Sequence, residues 1–184
     1  KYIENNTFGT FSLLKNCINA GVTKFIFSST AAVYGSREDV KLLSEGDSKQ
    51  PDNPYGVSKL LSEIILKEFS KAYDLDYVCL RYFNVAGADS LLRSGQIGNN
   101  STHLIKIASE VAVGKRPKIF IYGNDYPTED GTGVRDYIHV SDLVDAHSSA
   151  LKYLSDHEGG ITLNCGYGKG YSVISVLKVF EEII

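Results

Sequence analysis

Apolar residues recur at helical spacing between positions 7 and 20 (Phe8, Phe11, Leu14, Ile18), and Gly21 stands where a helix C-cap belongs. The run Lys-Phe-Ile-Phe-Ser-Ser at 24–29 is short, apolar and rich in β-formers, which predicts a buried parallel strand. Residues 35–52 are polar and carry Gly35, Gly46 and Pro51, so they read as a loop. Asn53-Pro54 is a helix start, with Asn as N-cap and Pro at the first helical position, and the helix should run to about Tyr73.

The same reading continues along the chain. It predicts strands over 77–83, 118–122 and 161–165, long loops over 87–100 and 123–135, and helices over 102–113 and 141–154. Gly114 closes the first of these helices, and Ser172 caps a last apolar helix over 173–184. Alternating helix and strand imply an α/β fold with a doubly wound parallel sheet and right-handed crossovers.

Composition narrows the class. At roughly 150 residues per domain, 184 residues make one domain, or one and a piece of another. Hydrophobic content of 43% and charged content of 22% exclude a disordered chain. No apolar run approaches the ~20 residues that span a bilayer, so no membrane association is expected. Nineteen Lys and Arg against 22 Asp and Glu give a net charge of -3, which speaks against a nucleic-acid partner. Cys17, Cys79 and Cys165 are scattered in apolar surroundings, the usage of a reducing compartment, so a cytoplasmic protein is expected. Lys1 is not an initiator and the chain has no Met, which suggests a fragment of a longer protein.

Candidate chemistry centres on Tyr55-Gly-Val-Ser-Lys59. A phenol and an ammonium four residues apart share one helix face. Tyr55 opens a Pro-started helix, and the preceding strand ends in Ser28-Ser29-Thr30, where open α/β sheets bind ligands. A phenol ionises near pH ~10, so a base at neutral pH needs a lowering of roughly three pH units, or about 4 kcal/mol. A nearby Lys and a cationic nicotinamide supply that in a partly dry cleft. Thr30 offers a hydroxyl to the same substrate oxygen.

Three motifs, Thr30-Ala-Ala-Val-Tyr-Gly35, Pro54-Tyr-Gly-Val-Ser-Lys59 and Arg81-Tyr-Phe-Asn-Val-Ala-Gly-Ala88, resemble the extended short-chain dehydrogenases/reductases that act on nucleotide sugars. Within them, Tyr126-Pro-Thr-Glu-Asp-Gly-Thr-Gly-Val-Arg-Asp-Tyr-Ile-His-Val140 is similar to the UDP-glucose 4-epimerase family, and the resemblance covers essentially the whole chain. It implies a Rossmann-type fold, tightly bound NAD, and inversion at carbon 4 of UDP-glucose and UDP-galactose through a 4-keto sugar. Residues 1–87 then form the second half of the NAD-binding domain, without its Gly-rich first half. Residues 88–184 are mainly the nucleotide-sugar region, with segments returning to the Rossmann sheet.

By that resemblance Tyr55, Lys59 and Thr30 are catalytic, and Asn5, Thr30, Tyr55, Lys59 and Phe83 bind the cofactor. Thr30, Tyr55, Asn84, His103, Leu104, Phe120, Ile121, Tyr122 and Arg135 contact the UDP-sugar. An Arg is the natural bidentate partner of a diphosphate; the bland alternative for Arg135 is an ion pair with Asp125, Glu129 or Asp130. The helices at 7–20 and 54–73 would build a homodimer's four-helix bundle.

Dehydratase relatives carry an acidic pair after the catalytic Thr, where this chain has Ala31 and Ala32. Epimerases or reductases of other nucleotide sugars, including N-acetylated ones, and a non-catalytic binding module remain open. Gly166-Tyr-Gly-Lys-Gly170 looks like a dinucleotide fingerprint, but the third glycine would fall on Tyr171, so a structural strand-to-helix turn is expected. The four histidines lack metal-ligand spacing, so no metal is expected.

Overall fold

The computed structural model describes residues 1–37, 42–98 and 101–183. Part of the 35–52 loop, Asn99-Asn100 in the 87–100 loop, and Ile184 at the end of the last helix lie outside the described residues. The chain divides into two compact units, Lys1–Phe83 with Leu143–Cys165, and Asn84–Asp142 with Gly166–Ile184.

The first unit holds a parallel sheet in the order β1 (Lys24–Thr30), β2 (Asp76–Tyr82), β5 (Gly160–Cys165). Its register aligns Thr30 with Tyr82 and Tyr82 with Cys165, so the three C-terminal ends stand level. Helix α1 (Gly9–Asn19) and helix α2 (Pro54–Ala72) belong to this unit, as does helix α4 (Val140–Asp156) from Leu143 onward. Leu14, Phe27, Leu66, Leu75, Tyr77 and Cys79 form its core. Each such side chain contributes about 1.5–3 kcal/mol when fully buried. Gly160 leaves room for Tyr77, because a Cβ there would run into the Tyr77 ring.

Helix α2 starts as the sequence predicts. Asn53 is extended, its Oδ1 accepts the Gly56 N–H at 2.8 Å, and Pro54 follows at the first helical position. Helix α1 differs, because a π-helical segment, Ile3–Phe8, runs into it. In this segment Asn6 Nδ2 donates to Ser58 Oγ at 2.9 Å and Thr7 Oγ1 to the Ser58 carbonyl at 3.0 Å. These bonds to α2 hold the wider turn in place.

The second unit holds β3 (Asn84–Ala86), β4 (Val134–His139) and β6 (Gly170–Ser172), with α3 (Leu104–Ala112) and α5 (Val173–Ile183). Strand β3 is parallel to β4, while the short β6 is antiparallel to it. The strand expected over 118–122 does not form, since that run has no ladder partner among the described residues. Ser172 caps α5 as expected, its Oγ accepting the Ser175 N–H at 3.0 Å.

Candidate active site

At the C-terminal end of β1, three consecutive residues face three turns of α2. Lys59 Nζ donates to the Ser28 carbonyl at 2.9 Å, and the Ser29 hydroxyl donates to Glu63. The buried Thr30 hydroxyl interacts with the Tyr55 phenol and accepts the Ala32 N–H at 3.2 Å. Tyr55, Lys59 and Glu63 are spaced by four, hence stacked on one helix face. Gly56 makes the approach possible, because a Cβ there would collide with the Ala32 carbonyl oxygen.

The electrostatics differ from the sequence expectation. Burial pushes the Tyr55 phenol above its ordinary value; the Thr30 hydroxyl pulls it down, and Tyr82 and Tyr2 push it up further. Burial lowers Lys59, whose ammonium sits 5.0 Å from the centre of the Phe27 ring. The Lys59 ammonium rests on the Ser28 carbonyl. Its two other N–H groups stay available to a ligand.

Of the other residues expected in this unit, Asn5 is exposed in the π-helical segment, where its Nδ2 donates to Asn6 Oδ1 at 3.3 Å. Phe83 is half-buried and extends the sheet by one bond, its N–H donating to the Cys165 carbonyl at 3.1 Å.

Sequence reasoning missed a buried polar network beside these groups. Arg81 forks onto Glu63, with Nη2 to Oε2 at 2.6 Å and Nε to Oε1 at 3.0 Å. Its Nη1 donates to the Tyr34 hydroxyl at 2.9 Å, which donates to Asn164 Oδ1 at 2.7 Å. Asn164 is held in turn by Glu45 and the Leu43 carbonyl. Burial pulls the Arg81 guanidinium down, but Glu63 and Tyr34 outweigh it and raise it overall. One signal was available: a charged residue inside the buried run Tyr-Val-Cys-Leu-Arg-Tyr must have a partner.

In the second unit, Asn84, His103 and Leu104 line one cavity of about 480 Å³. Gln96, Tyr137 and Lys106, which the sequence did not single out, line it too. Lys106 is its one formally charged wall residue among the described residues and pairs with Glu110 at 3.2 Å. Phe120 and Tyr122 line a separate hollow of about 230 Å³; Ile121 is half-exposed and not among its lining residues.

Arg135 lines neither cavity. It is exposed, its Nη1 donates to the Val134 carbonyl at 2.8 Å, and it makes no ion pair among the described residues. Asp130, an expected partner, instead accepts from the Thr132 N–H and hydroxyl and from the Ser172 hydroxyl. Those bonds hold its carboxyl below the usual carboxylate range.

Residues 1–166 match the family model described as the NAD dependent epimerase/dehydratase family. The chain is 50% identical over 182 residues to the UDP-glucose 4-epimerase of Azospirillum brasilense, covering 99% of this chain and 52% of that relative. Among solved structures it resembles the UDP-glucose 4-epimerase of Bifidobacterium longum in complex with NAD+ and UDP, with TM-score 0.92 and 40% identity. That likeness covers 98% of this chain and 54% of the other. It also resembles the UDP-Glc/GlcNAc 4-epimerase of Campylobacter jejuni, with TM-score 0.78 and 47% identity over 100% of this chain and 55% of the other. The chain thus spans about half the length of the relatives it matches.

Proposed function

Because the chain belongs to the NAD dependent epimerase/dehydratase family, we propose that it provides the acid–base machinery of a UDP-glucose 4-epimerase interconverting UDP-glucose and UDP-galactose. The observation that carries this reading is the group at the end of β1: Thr30 against Tyr55, with Lys59 one helical turn further on. Tyr55 takes the proton from the sugar 4-hydroxyl and returns it, and the Thr30 hydroxyl orients that oxygen. Proton removal at neutral pH needs a cation to offset the burial that holds the phenol up, and Lys59 is the chain's own cation on that face.

The donor set of the first unit fits a nicotinamide cofactor. Lys59 is half-buried at the C-terminal end of a parallel strand with two donors to spare, and Thr30 and Tyr55 add hydroxyls beside it. With Asn5 and Phe83 these residues would hold NAD. When bound, NAD supplies reversible oxidation at carbon 4, through which the configuration inverts. The first unit is accordingly the cofactor half. The second is the nucleotide-sugar region, in which Asn84, His103, Leu104, Phe120, Ile121, Tyr122 and Arg135 contact the UDP moiety.

Phe8, Phe11, Leu13, Leu61 and Ile64 are exposed apolar residues on or beside α1 and α2, which supports a homodimer through these helices. No helix among the described residues is long and apolar enough to cross a membrane, and all three cysteines are free, which supports a cytoplasmic location. The likeness to the Campylobacter jejuni enzyme favours a second substrate class, UDP-N-acetylglucosamine.

Tyr55→Phe in the full-length protein tests the assignment. Turnover of UDP-galactose should fall by about 10²–10⁴-fold with cofactor content kept. Epimerisation near the wild-type rate would sink it, and parallel assays with UDP-N-acetylglucosamine decide the second class.

A further inference from the structure

The buried Glu63 carboxylate does more than neutralise Arg81, because it also accepts the Ser29 hydroxyl, on the strand residue next to Thr30. The Glu63 side chain is 9% exposed and Ser29 is fully buried. Lys59, one turn earlier on α2, holds the Ser28 carbonyl. Two adjacent residues of β1 are therefore tied to two adjacent turns of one helix. The residue that follows, Thr30, meets the turn before them, at Tyr55.

We infer that Ser29 and Glu63 are positioning residues: their bond fixes the end of β1 against α2 and so sets the approach of the Thr30 hydroxyl to the Tyr55 phenol. The inference rests on the proposed roles of Thr30 and Tyr55. Four features carry it. The bond joins the two elements bearing the reacting groups. It lies one residue from Thr30 in the strand and two helical turns from Tyr55. Glu63 cannot swing away, because Arg81 holds both its oxygens. Finally, without the Ser29 bond the β1 end retains the Lys59–Ser28 tie, whose ammonium is also offered to a ligand. A group held by rigid, hydrogen-bonded neighbours keeps its reacting geometry.

The test compares three variants of the full-length protein. Ser29→Ala removes the tie and leaves the Glu63–Arg81 pair. Tyr34→Phe removes the far arm of the same network and leaves the tie. Tyr55→Phe reports on the reading beneath. With UDP-galactose, Ser29→Ala should lower kcat about 10-fold with KM within about twofold, since misplacement of a reacting group costs rate rather than binding. Tyr34→Phe should lower the melting temperature at least as much and leave kcat within about twofold. If Ser29→Ala keeps its kcat while Tyr55→Phe is inactive, the positioning role is overturned and the catalytic reading stands. If kcat falls equally in Ser29→Ala and Tyr34→Phe, the network is structural only and the role is again overturned. An active Tyr55→Phe removes the reading and the inference together.

Discussion

Replacing Arg81 with Met keeps the aliphatic stem and removes the charge that neutralises Glu63. The two side chains are 6% and 9% exposed and share three contacts of 2.6–3.2 Å. Without Arg81, the carboxylate keeps the Ser29 hydroxyl and, among the described residues, no ion pair. Breaking a buried pair from one side costs about 3–5 kcal/mol, because the remaining charge is uncompensated. Tyr34 adds little to that loss, since its hydroxyl still donates to Asn164. Cys79 lies two residues earlier in β2, is 1% exposed, and has its thiol pushed up to about 12, chiefly by burial. It should react with an alkylating reagent only when the sheet opens. A loss of 3–5 kcal/mol should raise its labelling rate by roughly 150- to 5,000-fold, read by peptide mass spectrometry at pH 8. Glu63→Leu with Arg81→Met should recover most of the loss, leaving about 1 kcal/mol for the lost Ser29 bond. A single variant that labels less than about tenfold faster, or a double variant as unstable as the summed singles, refutes the account of the pair.

Two further outcomes follow from charges elsewhere. Arg135→Lys should weaken UDP binding about 10- to 100-fold by titration, because the charge stays but the bidentate fork is lost, while the melting temperature holds, since Arg135 makes no ion pair among the described residues; unchanged UDP affinity rejects the substrate role. Stability should fall as pH rises above about 9, because the folded state keeps the Cys79 proton up to about 12 while the unfolded thiol loses it near 9.0. Cys79 contributes on the order of 1.4 kcal/mol per pH unit to that loss, and Cys79→Ala should remove its share in urea titrations between pH 8 and 11, leaving the share of Cys165, whose thiol burial also raises.

What local sequence could reveal depended on how far away each residue's partner lies. Asn53-Pro54 announces helix α2 because the cap bond closes within three residues. The strands β1 and β2 are legible because a strand packed on both faces reads as a continuous apolar run. The run at 118–122 has the same composition but finds no ladder partner among the described residues. Strand β4 fails the other way, since Arg135, Asp136 and His139 hide a strand that pairs on both edges. Tyr55 and Lys59 stand out because four residues make one helical turn. Their supports do not, because Ser29 meets Glu63 across 34 residues and Tyr34 meets Asn164 across 130.

Spare hydrogen-bonding capacity separates the glycine-rich stretch at 166–170 from the end of β1. A dinucleotide fingerprint offers its backbone N–H groups to a phosphate. Here the N–H groups of Tyr167 and Gly168 donate to the Asp136 carboxylate at 3.2 and 2.8 Å, and the Tyr167 hydroxyl accepts the His139 N–H while donating to Asp142. The Asp136 carboxylate thus takes two of the donors that an anion site would need, and the stretch leads into strand β6 rather than straight into a helix. Asp130 is likewise consumed by Thr132 and Ser172. Among the described residues, Lys59 engages one of its three N–H groups and Arg135 donates only to a neighbouring carbonyl. Lys59 is half-buried and keeps donor capacity that a ligand can complete, which makes it the cation to test.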